Sequence, residues 1–295
     1  MTFAVLLLTL SAGSGPCPPA TPTQASSQGP AHLTAITTDN PGLAVYVAQV
    51  IAVDPARRAA FVSGLRRRRL PVWQQLRRKG YLASQSVFEV TKVGTALPGA
   101  PAWNYLVLSR LACDRAVSAF LRAEKFGQAL TQLSSPSDSG AAILRRVEIL
   151  HSTPNSFYPS PTPSDRRHAA AVTYLVEYIA VHDTAARLEE YRESMKKNSG
   201  PAAGELVKRG LFFNFVALET REIIFAQPGM ATWNQIHVVG LLPGRGSPQA
   251  FDSALRKVNP GSGGYARVFG RLDSIRVHTR VDEARLLRVL QIPRP

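Results

Sequence analysis

The chain has 295 residues, of which 45% are hydrophobic and 19% charged, and its 35 basic residues outnumber 20 acidic ones to give a formal net charge of +15. This composition excludes a fully disordered chain and supplies enough apolar residues for one large folded unit or two of ordinary size. The two cysteines lack metal-ligand spacing, which excludes a cysteine-rich metal site.

Residues 1–25 predict a secretory signal peptide. The apolar run from Phe3 to Leu10 is followed by small residues through Gly15, and it is too short to span a bilayer. Residues 26–43 are rich in Pro, Ser, Thr and Gln and predict a disordered tether. We therefore expect a secreted or periplasmic protein. Lipidation of Cys17 is left open, and a structural disulfide between Cys17 and Cys113 is not expected.

A duplication is the most informative feature of the sequence. The segment 98–104 (PGAPAWN) recurs 130 residues later as 228–234 (PGMATWN), and residues 45–53 resemble 173–181 at a similar spacing. The 130-residue offset also pairs Phe61 with Tyr191 and Pro71 with Pro201. A collinear series of matches indicates an internal repeat. We predict a first repeat over 44–152, a Pro-rich linker over 153–170, a second repeat over 171–283 and a tail over 284–295.

Each repeat predicts the same order of elements. A β-branched strand (45–53 or 173–181) precedes a helix whose apolar positions share one face, and Pro71 or Pro201 should kink or divide that helix. Two strands follow, then a second helix near 114–126 or 248–258, and a last strand near 143–151 or 271–279. The glycines at 261–264 are interpreted as a turn. The order β-α-β-β-α-β is that of a ferredoxin-like unit.

Two such units with long, proline-broken first helices resemble the dimeric α+β barrel superfamily. The resemblance implies an α+β fold in which two tandem ferredoxin-like units form an intramolecular barrel around a cavity. Haem-binding members of that superfamily use an axial histidine on a helix of the second half, whereas none of the six histidines here falls in a predicted helix interior. We therefore expect no cofactor and no metal.

Strand alternation suggests which side chains line the cavity. Trp233, Gln235 and His237 share one face of their strand, and the other face carries Ile236 and Val238. Because the aliphatic pair is expected against helices, the first face is expected inside the barrel. Trp103 and Tyr105 hold the matching positions of the first repeat. The alternative is that both tryptophans simply fill the barrel.

Glu177 lies in an otherwise apolar strand, where a carboxylate is costly to bury unless it is paired or neutral. It is a candidate general base with a raised pKa, or the ion-pair partner of Arg276. Glu177 and His237 are the predicted catalytic residues. Arg276, His278 and Asn214 complete the predicted ligand-binding set. An ordinary structural ion pair is the alternative for Glu177.

The basic run Arg66–Arg69, with Arg77–Lys79, predicts electrostatic contact with an anionic envelope surface, and no nucleic-acid module is recognisable. Three functions stay open at this stage. The protein is a secreted binder of a small ligand, a cofactor-free oxygenase or isomerase of the barrel type, or a structural module. It is expected to be a monomer or a homodimer.

Overall fold

The computed structural model describes residues 44–124, 142–156, 172–182, 184–243 and 247–292. The predicted signal peptide and tether, most of the predicted linker and the last three residues lie outside these ranges. Among the described helices, none is long and apolar enough to cross a membrane.

Both halves of the chain have closely similar element orders. The first half contains β1 (Val45–Val53), α1 (Arg58–Gly64), α2 (Leu70–Arg78), β2 (Leu82–Ala96), β3 (Tyr105–Leu111), α3 (Ala116–Ala123) and β4 (Ala142–Ser152). The second half contains β5 (Thr173–Val181), α4 (Ala185–Ser194), α5 (Gly200–Lys208), β6 (Phe212–Ala226), β7 (Gln235–Leu241), α6 (Pro248–Val258), α7 (Gly264–Asp273) and β8 (Arg276–Leu286).

In the described residues, eight antiparallel strands close into one barrel in the order β1-β3-β2-β8-β5-β7-β6-β4. The two halves join where β2 pairs with β8 and where β4 pairs with β6. The helices pack on the outer face of the strands, over one hydrophobic cluster in each half. The prediction of a mixed α+β fold with a closed barrel is confirmed.

The first long helix of each half passes its proline without ending. Between α1 and α2, and between α4 and α5, the chain forms a π-helical turn, Leu65–Arg69 and Met195–Ser199. Proline lacks an N–H and crowds the carbonyl four residues earlier. The widened turn, in which the N–H of Leu70 bonds to the carbonyl of Leu65, absorbs this conflict. The expected division into two helices is therefore replaced by a continuous α–π–α segment.

The last strand of the second half was predicted too early in the chain. It was expected near 271–279 but runs from Arg276 to Leu286, because helix α7 occupies Gly264–Asp273. Gly263 and Gly264 both have φ near +80°, which turns the chain sharply just before α7 begins. The glycines were recognised as a turn, but the helix after them was not.

Aromatic rings fill the centre of the barrel. Trp103, Tyr178 and Trp233 pack with ring centroids 4.9–5.5 Å apart, inside a buried cluster to which all eight strands of the barrel contribute. Trp103 also donates a hydrogen bond to the Tyr178 hydroxyl at 3.4 Å. The two tryptophans therefore face the interior as expected. There they pack against other rings and fill the barrel, which was the alternative to lining a cavity.

The predicted orientation of the strand faces was wrong for three candidate residues. Ile236 and Val238 belong to the barrel interior, whereas His237 packs against Phe215 and Tyr191 on the helix side and Gln235 lines a cavity there. Tyr105 likewise faces its own helices. On β7 the aliphatic side chains face the shielded barrel interior, and the polar ones face the helix layer, where they meet hydrogen-bond partners or a cavity.

A buried arginine from one half holds the tryptophan of the other. Arg146 of β4 lies 3.9 Å from the centroid of the Trp233 ring and donates to the Trp233 carbonyl at 3.0 Å. Its guanidinium pairs with Glu148 at 2.7 Å, and Glu148 accepts the indole N–H of Trp233 at 2.8 Å. The charges are thus paired and hydrogen-bonded, as burial requires.

The same arrangement recurs around the other tryptophan. Arg280 of β8 lies 3.9 Å from the centroid of the Trp103 ring, donates to the Trp103 carbonyl at 2.8 Å and pairs with Asp282 at 2.7 Å. Burial raises the pKa of Asp282 to about 6, against the opposing effect of Arg280. We call these two groups the arginine clamps, and each one ties the two halves together.

The asparagine after each tryptophan explains why the Trp-Asn pair recurs. Asn104 accepts from the Val53 N–H at 2.8 Å and donates to the Val53 carbonyl at 2.7 Å. Asn234 forms the same two bonds with Val181, at 2.9 and 3.2 Å. Each asparagine therefore satisfies the backbone at the end of the first strand of its own half.

Cys113 is disulfide-bonded, so the expectation that the chain has no structural disulfide was wrong. The only other cysteine in the sequence, Cys17, lies outside the described residues. Such a bond was not expected because Cys17 lies in the N-terminal segment that is predicted to form a signal peptide and a tether.

Candidate functional site

A cavity of about 630 Å³ lies on the helix side of the second half. Its walls are α4, the outer face of β6 and β7, and the segment that follows β4 (residues 153–156), which we call the strap. The lining side chains that carry the argument below are Tyr191, Arg192, Ala217, Glu219, Gln235 and His237. We call this space the helix-side cavity.

The strap closes one end of the helix-side cavity. The N–H of Thr153 donates to the Ala217 carbonyl at 2.9 Å, and Ser156 bonds to both backbone groups of Ala217 at 3.0 Å. Asn155, which lines the cavity, packs against Gly200, where a Cβ would collide with the asparagine side chain. Glycine at 200 is therefore needed for the close approach of the strap.

Three side chains form a hydrogen-bonded series at the base of the cavity. Glu177 of β5 and His237 of β7 are direct cross-strand partners, and Glu177 Oε2 lies 3.3 Å from His237 Nδ1. His237 Nε2 lies 3.0 Å from the hydroxyl of Tyr191 on α4. Tyr191 and His237 are 2% and 3% exposed. We call this series the Tyr191–His237–Glu177 relay.

The ionisation of Glu177 fixes the direction of the relay. Burial alone would raise the pKa of this carboxyl group, but the hydrogen bond and charge of His237, with smaller effects of His278 and Arg276, lower the pKa below its usual range. The raised pKa expected from the sequence was therefore wrong. An ionised carboxylate only accepts hydrogen bonds, so His237 Nδ1 carries a proton. In the neutral ring Nε2 is then the acceptor, and Tyr191 donates to it.

Tyr191 is held as a neutral phenol. Burial raises its pKa, and the nearby Arg276 guanidinium acts in the opposite direction. Arg276 is itself buried and pairs with Asp273 at 3.3 Å. A neutral hydroxyl next to an unprotonated imidazole nitrogen can accept a proton from a ligand while passing its own proton to the ring.

His278 flanks the relay on the other side of Glu177. Its Nε2 lies 3.7 Å from Glu177 Oε1, and burial lowers its pKa although Glu177 opposes that effect. In the part of the chain that the structure describes, no group of three or more His, Cys, Asp and Glu side chains is arranged to hold a metal ion.

The two arginines beside the cavity are already paired, and Lys196, which also lines it, has a side chain that is 75% exposed and lies 4.0 Å from Glu193. Arg192 is bonded to Glu219 at the rim. Arg221 contacts Asp114 at 3.1 Å and His151 Nε2 at 3.0 Å, and burial together with Arg221 lowers the pKa of His151. The cavity therefore offers no excess positive charge at these two arginines to a strongly anionic ligand.

The corresponding space in the first half is filled. By the 130-residue offset, Phe61 and Tyr105 stand where the second half has Tyr191 and Gln235, and their rings pack at 4.8 Å. Val107 stands in place of His237. The chain after β8 lies along β2, as the strap lies along β6, and it buries Leu290 and Ile292 in the core. Large apolar groups thus occupy one half, and polar groups border open space in the other.

The structure brings together only part of the predicted site. Gln235 and His237 line the cavity, Glu177 lies behind His237, and His278 and Arg276 lie close to Glu177. The remaining predicted ligand-binding residues lie elsewhere: Trp103 and Trp233 in the barrel, Tyr105 beside Glu89, and Asn214 against Gly240.

Sequence reasoning missed Tyr191, which it paired with Phe61 only as a core position. The added hydroxyl in the second copy was the available signal. The contributions of Arg192, Glu219 and the strap depend on how the helix and the linker lie over the sheet, which the sequence pattern does not show.

We expect the pairing of Glu177 to stabilise the protein in a pH-dependent way. Because the folded-state pKa is below that of the unfolded chain, the stabilisation is complete above the ordinary pKa of 4.5 and is lost as the pH falls through the lower folded value. The difference in unfolding free energy between the wild type and Glu177→Gln should shrink between pH 7 and pH 3, as measured by denaturant unfolding. A difference that stays constant over this range would contradict the lowered pKa.

The sequence matches no protein-family model and none of the curated proteins. Among solved structures, it is similar to an anthrone oxidase-like protein (13% identity, 82% of this chain and 91% of that chain covered, TM-score 0.45). It is also similar to a mutant chlorite dismutase from Candidatus Nitrospira defluvii (9%, 82% and 90%, 0.42) and to an encapsulated DyP-type peroxidase from Mycobacterium smegmatis (12%, 85% and 95%, 0.41). Identities of 9–13% say nothing about the chemistry of the cavity, which must come from its own residues.

Proposed function

We propose that the protein is an enzyme that binds a small organic molecule in the helix-side cavity and catalyses reversible proton transfer, the chemistry of an isomerase. The observation that carries this proposal is the Tyr191–His237–Glu177 relay at the base of a cavity of about 630 Å³. Buried polar groups that converge on a cavity are typical of ligand and active sites.

The difference between the halves supports this proposal. In the first half Phe61, Val107 and Tyr105 replace Tyr191, His237 and Gln235, and the Tyr105 hydroxyl is bonded to Glu89, so the equivalent positions form no His–Tyr pair beside a cavity. His237 and Tyr191 are buried polar groups that are costly to desolvate, and, among the described residues, their pairing beside a cavity occurs only in the second half.

In the proposed reaction, the ligand gives a proton to the Tyr191 hydroxyl oxygen while the Tyr191 proton moves to His237 Nε2. The imidazolium that forms is stabilised by the carboxylate of Glu177, which also fixes the ring orientation. The reverse movement returns a proton to the ligand, at the same atom or at another one. No electrons leave the ligand, so neither an oxidant nor a reductant is needed.

Some members of the superfamily that the sequence resembles bind haem, but haem does not fit the histidines of this cavity. An axial ligand needs a free ring nitrogen, but both nitrogens of His237 are engaged, by Glu177 and by Tyr191. His151 Nε2 is bonded to Arg221. We therefore derive no step through haem.

We also propose an origin, a location and a surface contact for the chain, from its sequence and its strand order. The 130-residue offset and the shared strand order support an origin as two tandem ferredoxin-like units, and the apolar leader and the disulfide at Cys113 support export to an oxidising compartment. The basic run at 66–69 supports contact with an anionic envelope surface, for a protein that is a monomer or a homodimer.

The proposal predicts enzyme-catalysed exchange of carbon-bound protons. Purified protein is incubated in D₂O with propiophenone, phenylacetonitrile and 1-nitropropane, and the loss of the acidic C–H signal is followed by ¹H NMR. We expect exchange above the buffer rate for at least one compound. Binding without exchange for every compound would instead indicate a binding protein and contradict catalysis.

Variants at Ala217 place the reaction in the helix-side cavity. The first half has Val87 at the equivalent position, and Ala217 lines the cavity wall. Exchange should fall in the order wild type, Ala217→Val, Ala217→Leu, while thermal unfolding shows that each variant is folded. Equal exchange in all three folded proteins would place the reaction elsewhere.

A further inference from the structure

Gln235 offers a hydrogen-bond donor that the folded protein does not use. Its side chain is 1% exposed and lines the helix-side cavity, two residues from His237 on the same face of β7. Its Nε2 is buried and has no hydrogen-bond partner. A buried amide N–H without a partner is destabilising, because it has lost its hydrogen bonds to water, so such a group beside a cavity calls for a partner.

Because the Gln235 side chain lines the cavity, the missing partner is an acceptor atom of the ligand, which the buried amide reaches by turning its Nε2 toward the cavity. The paired arginines Arg192 and Arg221 leave no free guanidinium there to neutralise a carboxylate or a phosphate. A neutral amide donor is suited to a neutral oxygen acceptor, such as a carbonyl group. The first half has Tyr105 at this position, whose hydroxyl bonds to Glu89 at 3.0 Å and so needs no ligand.

We propose that the ligand is a carbonyl compound with a proton on the adjacent carbon, and that Gln235 Nε2 donates to its oxygen. This inference rests on the proposed proton transfer and names its substrate class. The Cα–H bond breaks as its proton joins the Tyr191 oxygen, and the Tyr191 proton moves to His237 Nε2. The Cα–H electron pair becomes the C=C bond of an enolate, and the carbonyl π electrons move to the oxygen. Gln235 stabilises that oxygen most strongly when it is negative.

Gln235 therefore has two separable effects. It should favour a ketone over a hydrocarbon of the same shape, because only the ketone pairs with the amide. It should also accelerate enolate formation, since its hydrogen bond strengthens as charge develops on the oxygen. A residue that only packed the cavity wall would produce neither effect.

The test compares propiophenone with propylbenzene, which lacks the carbonyl oxygen, in the wild type, Gln235→Leu and Gln235→Met. Replacing an unpaired buried amide by an apolar group is not expected to unfold the protein; Gln235→Met keeps the unbranched shape, and thermal unfolding checks both variants. By ligand-observed NMR, we expect the wild type to bind propiophenone roughly three- to tenfold more tightly than propylbenzene. Both variants should lose this preference. Exchange of the propiophenone α-protons in D₂O should fall by about 10²–10³-fold in both.

The remaining outcomes separate this inference from the function on which it rests. An equal preference in the wild type and both variants, or exchange of the nitrile or nitro compound but not the ketone, would overturn the role of Gln235 and leave proton transfer in place. If no carbon acid is bound or exchanged by the folded wild type, the proposed function falls and the substrate class falls with it.

Discussion

Replacing Arg146 by methionine should destabilise the protein by about 3–5 kcal/mol, the largest effect that we expect from a single change in the barrel. The guanidinium pairs with Glu148 at 2.7 Å and covers the Trp233 ring, and Glu148 is fully buried. Removing one member of a buried ion pair leaves the other charge unpaired in a medium that solvates it poorly. Urea unfolding monitored by circular dichroism gives the difference in unfolding free energy.

An exposed ion pair between the same two halves provides the matched control. Lys92 and Glu283 lie 3.2 Å apart and are largely exposed, so Lys92→Met should cost less than about 1 kcal/mol. Arg280→Met removes the second arginine clamp and should resemble Arg146→Met. A loss for Arg146→Met no larger than that for Lys92→Met would show that the clamps do not hold the halves together.

Replacing Tyr191 by phenylalanine should slow α-proton exchange of propiophenone by about 10²–10⁴-fold, which is the usual contribution of a positioned general acid or base. The variant keeps the ring in the cavity and removes only the hydroxyl that lies 3.0 Å from His237 Nε2. His237→Gln should lose a similar amount. Because the two residues act on one proton path, the double variant should be no slower than either single variant. ¹H NMR in D₂O measures all three rates.

Tyr174→Phe is the control for this series. Tyr174 is also buried, its pKa is raised by burial to about 12, and it packs against Phe88 inside the barrel, away from the cavity. Its exchange rate should equal that of the wild type. Wild-type exchange in folded Tyr191→Phe, or losses in the double variant that multiply, would contradict the relay.

Much of the fold followed from the sequence because the two copies could be compared. The first strands were predicted at 45–53 and 173–181, and the structure places them there. The repeated Trp-Asn pair marked residues that pack the barrel and bind backbone groups. The late start of β8 was not predicted, since the α7 helix has no counterpart among the described residues of the first half.

The candidate site was predicted in part, but the strand face that carries His237 and Gln235 was assigned to the wrong side of the sheet. Glu177 and His237 were selected as polar residues in apolar strands, and they are indeed neighbours. His237 was assigned to the barrel interior together with Gln235, but alternation alone does not tell which face of a strand lies inward when both faces are buried. Tyr191 required knowledge of the helix packing, and the orphaned donor of Gln235 only becomes visible once every neighbouring atom is placed.

The arginine clamps were beyond sequence reasoning altogether. Arg146 and Glu148 read as an ordinary charged pair on alternate positions of a strand, which predicts exposure. Their burial follows from closure of the barrel, which brings Trp233 of the other half over the guanidinium. Contacts between residues more than 80 positions apart leave no local pattern in the chain.

The tautomer of His237 tests the proposed proton path most directly. In protein labelled with ¹⁵N at histidine, two-bond ¹⁵N–¹H correlation spectra at neutral pH distinguish a protonated ring nitrogen from a bare one. We predict a proton on Nδ1, facing Glu177, and a bare Nε2, facing Tyr191. A proton on Nε2 with a bare Nδ1 would contradict the account, because Tyr191 could then not pass its proton to the ring.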